Sequence, residues 1–116
     1  MSQRAQVLLW GAQRISAMVL AVCVLAHLLT MIYAVRSGLS AAEILGRTQG
    51  SIAWFAFYTL FVFAVAVHAP IGLRTIISES CNWRGRGLDV LTGVIGLSLA
   101  MWGMRAVFGV FGAGAA

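Results

Sequence analysis

A chain of 116 residues that is 61% apolar and only 9% charged is not an ordinary water-soluble domain, in which about a quarter of the residues carry charge. Its net charge of +5 comes from arginine alone, since the sequence has no lysine. In a soluble chain that excess would raise nucleic acid as a partner, a reading that the placement of the arginines removes below.

Taken in chain order, residues 1–12 end in the apolar cluster Val7-Leu8-Leu9-Trp10, which suits a lead-in lying on the membrane, with the indole at headgroup level. Residues 15–35 then carry no formal charge if His27 is neutral. That run meets the roughly 20 apolar residues a spanning helix needs. It is too long for the apolar region of a cleaved secretory signal and leads into Val35-Arg36-Ser37-Gly38, not a small-residue cleavage site, so it is expected to stay in the mature protein. In the first loop, Ser40-Ala41-Ala42-Glu43 has the Ser-x-x-Glu spacing of a capping box, predicting a short interfacial helix. A second charge-free run covers 48–73, and the polar, Gly-rich loop 78–87 follows it. The third run, 90–104, is shorter, but Arg105 can snorkel to the interface and let the helix continue to about residue 110. On its surface Thr92, Gly96, Ala100 and Gly103 recur at helical spacing, a small-residue stripe of the kind that packs helices closely in lipid.

The expected fold is therefore an all-α integral membrane protein, a three-transmembrane-helix bundle. It forms one domain over 1–116, with spans at approximately 13–35, 49–77 and 88–110. Arg4, Arg14, Arg74, Arg84 and Arg86 fall on the side of the N-terminus and second loop; Arg36, Arg47 and Arg105 fall on the other. By the positive-inside rule this bias places the N-terminus in the cytoplasm. The arginines thus serve topology, the surrounding partner is membrane lipid, and no nucleic acid is expected. Cys23 lies in mid-span and Cys81 in a loop, too far apart in depth for a disulfide. Neither belongs to a haem-attachment motif. Phosphate loops, dinucleotide fingerprints, iron–sulfur cysteine clusters and paired intramembrane carboxylates are all missing from the sequence. Any substrate chemistry then belongs to a partner.

Ionisable groups inside hydrocarbon are expensive, which makes His27 and His68 the functional candidates. Around His68 the helical wheel gathers Trp54, Phe57, Phe61, Ala64, Gly72 and Thr75, aromatic above and small below, a face that could wall a flat macrocycle or simply pack another helix. Pro70, two residues on, removes one helical hydrogen bond beside it. His27 shares a polar stripe with Gln13, Ser16, Cys23 and Thr30, which points to protein or a cofactor and not to lipid; an interhelical hydrogen bond is the alternative to ligation. Counting about 1.5 Å per residue from the cytoplasmic edge, His27 lies about 18 Å deep and His68 about 8 Å deep. One iron shared by the two is therefore not expected, and each would need a second ligand from another chain.

The run His68-Ala69-Pro70-Ile71-Gly72-Leu73-Arg74 resembles the cytochrome b membrane anchors of succinate dehydrogenase and fumarate reductase. Their second helix typically reads His-x-x-x-Gly-Ile-Arg-His, with an acidic residue four positions on. His68, Gly72, Arg74 and Glu79 fall on the pattern, and Thr75 replaces the second His. The first helix of the family commonly begins Ser-x-x-His-Arg-x-Ser-Gly; here Arg14 and Ser16 match, while Trp10 and Gln13 depart from it. The resemblance implies that His68 ligates haem b, and that His27 is similar to the first-helix ligand of the two-haem anchors. It further implies that Arg14 and Ser16 hydrogen-bond a quinone head, and that Arg74, Arg84 and Arg86 dock hydrophilic subunits. The implied function is electron transfer between the iron–sulfur clusters of a partner and membrane quinone. The implied partners are a flavoprotein and an iron–sulfur subunit, with a second anchor subunit or a second copy of this chain beside it, in a bacterial inner membrane. On this reading the chain is not catalytic alone. Two alternatives stand beside it: a cofactor-free structural or assembly protein, and a cytochrome b serving a different respiratory dehydrogenase.

Overall fold

The computed structural model describes residues 2–112, and these form four helices: α1 (Gln3–Arg36), α2 (Ala41–Thr48), α3 (Ile52–Ser80) and α4 (Arg86–Phe111). Three of them, α1, α3 and α4, are long and apolar enough to cross a membrane, as the sequence predicts. They run up, down and up, with α3 in the middle, α1 on one side of it and α4 on the other. Side chains such as Val22, Leu97 and Trp102 stand about 70% exposed, an arrangement stable only where hydrocarbon replaces water.

The lead-in is not a separate element. Ser2 caps α1 by accepting a hydrogen bond from the Ala5 amide at 3.1 Å, and no helix breaker follows before residue 15, so the helix starts at Gln3 and runs straight into the span. At 1.5 Å per residue its 34 residues cover about 51 Å, well beyond a hydrocarbon core of about 30 Å. The first turns of α1 consequently stand clear of the bilayer core. The capping box forms as expected: the Glu43 amide donates to Ser40 Oγ at 3.2 Å, and the Ser40 amide donates to Glu43 Oε1 at 3.3 Å. The second loop is shorter than the polar run suggests, because α3 continues to Ser80 and α4 begins at Arg86. Gly85 makes that tight restart possible with φ at +111°, a backbone conformation open to glycine and costly for other residues.

The small-residue stripe of α4 is the packing face against α3. A Cβ on Gly103 would come within 2.5 Å of Val62 Cγ1, and one on Gly96 within 3.1 Å of Pro70 Cγ and 3.2 Å of the Ala66 carbonyl oxygen. Pro70 has no amide to offer that carbonyl four residues back, and the bare backbone of Gly96 closes over it instead. Backbones approach closely, and dispersion holds the pair. At the two ends the pairing is polar or aromatic: Arg74 Nε donates to Asp89 Oδ1 at 2.7 Å, while Phe55 packs on Phe108 and Phe111 with ring centroids 5.5 and 5.0 Å apart. The Gly50 amide donates to the Phe111 carbonyl at 2.8 Å, tying the α2–α3 junction to the end of α4.

Candidate functional site

Both histidines lie on the seam between α1 and α3, at different levels along it. The α3 face expected around His68 does turn to α1: Ala64 is buried, the Gln13 amide packs at Gly72, 3.2 Å from where a Cβ would stand, and Phe61 meets His27. The polar stripe of α1 faces α3 in return, with Ser16 and Cys23 buried.

His68 lines a cavity of about 630 Å³ with Gln6, Trp10, Gln13, Arg14 and Arg74 among its neighbours. Its Nδ1 is buried without a hydrogen-bond partner, and so is Gln13 Oε1. The Arg14 guanidinium sits over the Trp10 ring, 5.1 Å from its centroid, a cation–π contact that helical i, i+4 spacing brings about. Ser16 lies one turn deeper, where its hydroxyl donates to the Gln13 carbonyl at 3.0 Å. Thr75, in the place of the second His of the family pattern, lines the cavity, and its hydroxyl donates to the Ile71 carbonyl at 3.1 Å. Arg74 borders the same cavity but is held by Asp89. Asp89 itself stands in the first turn of α4, not in the loop, where its carboxylate also favours the positive end of the helix dipole. Arg84 lies in the loop and Arg86 opens α4, both exposed.

His27 lines a different cavity, of about 650 Å³, closed by Thr48 of α2, Tyr58, Phe61 and Val62 of α3, and Trp102 and Gly103 of α4. Its ring stands edge-on to Tyr58 and Phe61, with centroids 5.9 and 5.8 Å away. Its Nδ1 too is buried and unpartnered. The two cavities have no lining residue in common, so the histidines serve separate sites, in line with their different depths.

One expectation changes here. Of the aromatic residues foreseen above His68, Phe61 stands against His27, because it is two turns from His68 along α3 and level with His27 across the seam; the aromatic residue beside His68 is Trp10, from α1. The room that Gly72 leaves beside His68 is filled by the Gln13 side chain. Tyr58 was not among the residues singled out from the sequence.

A haem group needs a neutral imidazole with a free lone pair, space beside it and cationic partners for its carboxylates. At His68 the structure shows an imidazole with a buried, unpartnered Nδ1, a cavity beside it, and Arg14 and Arg74 on the cavity wall. At His27 the imidazole and the space are present and the walls are apolar. Among the described residues no three His, Cys, Asp or Glu side chains cluster as a metal-ion site.

No curated protein and no solved structure matches this chain. The profile of the succinate dehydrogenase/fumarate reductase transmembrane subunit matches residues 1–111, which covers all three long helices and both histidine cavities. This three-helix membrane chain belongs to the family of succinate dehydrogenase/fumarate reductase transmembrane subunits.

Proposed function

We propose that the chain is the haem b-binding anchor of a succinate or fumarate:quinone oxidoreductase, passing electrons between the iron–sulfur clusters of a partner and quinone in the bilayer. The observation that carries this reading is His68: an imidazole inside a membrane span, its Nδ1 buried and unpaired, on a cavity that also holds Arg14. A histidine kept only to join two helices needs no cavity beside it, whereas His68 opens on one that cationic side chains also line.

When bound, haem b supplies a one-electron carrier between the partner's clusters and the quinone. His68 would hold the haem through a ring nitrogen. A second protein ligand would come from a second anchor subunit or a second copy of this chain, because His27 lines another cavity. Arg14, extended over Trp10, donates to the oxygen of a quinone head at this end of the bundle. Ser16 joins it by a change of rotamer that gives up the bond to the Gln13 carbonyl. Arg84 and Arg86, exposed at the same end, face the flavoprotein and iron–sulfur subunits; the arginine bias puts that end in the cytoplasm of a bacterial cell. A second haem at His27 is favoured by its own unpartnered Nδ1 and its separate apolar cavity.

The visible spectrum of the purified complex tests the reading. Dithionite reduction is expected to bring up b-type haem bands at one or two haems per anchor. A spectrum without them leaves the cofactor-free structural protein as the better description. A complex that carries the bands but oxidises neither succinate nor reduces fumarate favours the cytochrome of a different dehydrogenase.

A further inference from the structure

We infer that Gln13 is a positioning residue for His68, its side-chain carbonyl accepting the Nδ1 hydrogen of the imidazole; this rests on reading His68 as an iron ligand. Gln13 Oε1 and His68 Nδ1 are both buried, both without a partner, and both on the same cavity. One is an acceptor and the other, in one of the two neutral tautomers, a donor. The Gln13 amide is already held within reach, packed at Gly72, one helical turn beyond His68 on the face that both share. Its backbone is pinned to the seam as well, since the Ser16 hydroxyl donates to the Gln13 carbonyl. The terminal torsion of a glutamine is soft, so a turn of the amide brings Oε1 round without moving the helix.

Other groups on the cavity do not compete well. Arg14, Arg74 and the Trp10 indole can only donate, and Thr75, whose hydroxyl keeps acceptor lone pairs while donating to the Ile71 carbonyl, is exposed. Gln6 also lines the cavity, but the buried acceptor without a partner is Gln13 Oε1. With its hydrogen fixed on Nδ1, the imidazole carries its lone pair on Nε2, the nitrogen then available to iron. Histidines that bind metal are oriented and made more basic by such an acceptor on the other ring nitrogen.

Gln13→Leu keeps the bulk and removes the acceptor, and Gln13→Glu strengthens it. In the assembled complex, Gln13→Leu is expected to raise the haem midpoint potential, because a less basic imidazole stabilises the oxidised iron less, and to weaken haem retention roughly tenfold or more. Gln13→Glu is expected to lower the potential and to keep the haem. Equal potentials and equal retention in all three proteins overturn the inference. Nitrogen NMR of the haem-free full chain in micelles, labelled at histidine, gives a readout independent of the cofactor: His68 carries its hydrogen on Nδ1, and Gln13→Leu shifts it toward Nε2. A wild-type ring protonated on Nε2, or one indifferent to Gln13→Leu, also overturns it. Haem retained by His68→Ala would instead strike the ligand reading, leaving the tautomer result to speak for Gln13 alone.

Discussion

His68 shares its cavity with two glutamines, two arginines and Trp10; His27, at another level of the same seam, shares its cavity with Tyr58, Phe61 and Trp102. The first contains no α4 residue and opens where the arginines collect, whereas the second is walled by α4 and nearly free of polar groups. Two imidazoles with the same unpartnered Nδ1 are thus given opposite surroundings. A polar mouth suits a site that exchanges protons and electrons with a quinone and an outside partner. An apolar, aromatic-lined cavity suits a flat hydrophobic group, since little polar surface has to lose water when it is covered.

Because Gly103 and Val62 both line the His27 cavity, Gly103→Leu should separate the two sites most sharply. A side chain there drives α4 off Val62 at a cost of about 1–3 kcal/mol, seen as a lower melting temperature in detergent. The His68 site should keep its spectrum and potential. Equal damage at both histidines would mean that the cavities are not independent. Arg14→Gln should do the reverse, raising the quinone KM about two- to tenfold through loss of a hydrogen bond of about 0.5–1.5 kcal/mol, with at most about 1 kcal/mol of stability lost with the Trp10 contact. An unchanged KM would move the quinone elsewhere. The smallest effect is expected from Asp89→Asn. The Arg74–Asp89 pair has side chains 25% and 45% exposed, so its loss should cost no more than about 1 kcal/mol. That difference should fade in 1 M salt, where screening acts within about 3 Å.

The features legible in the sequence were those set by local rules. Uninterrupted apolar runs gave the three spans, Ser40 and Glu43 gave the capping box, and the Thr92 to Gly103 spacing gave a helix-packing face, though not its partner α3, because each follows from helical geometry within one segment. The start of α1 at Gln3 was missed for a related reason: polar residues at a helix end read as loop when only hydropathy is followed. Which aromatic residue meets which histidine is a matter of register between antiparallel helices, and a single helical wheel cannot supply it. Depth could have. A difference of about 10 Å between the histidines is about seven residues of helix, and seven residues before His68 on α3 stands Phe61, the ring found against His27.

The haem content of the complex assembled with His68→Ala, read beside His27→Ala by reduced-minus-oxidised spectra, tests the central assignment most directly. The account predicts that His68→Ala abolishes the haem of the polar cavity and disturbs quinone reduction, and that His27→Ala leaves that haem in place. A His68→Ala complex with its full b-type spectrum would contradict it.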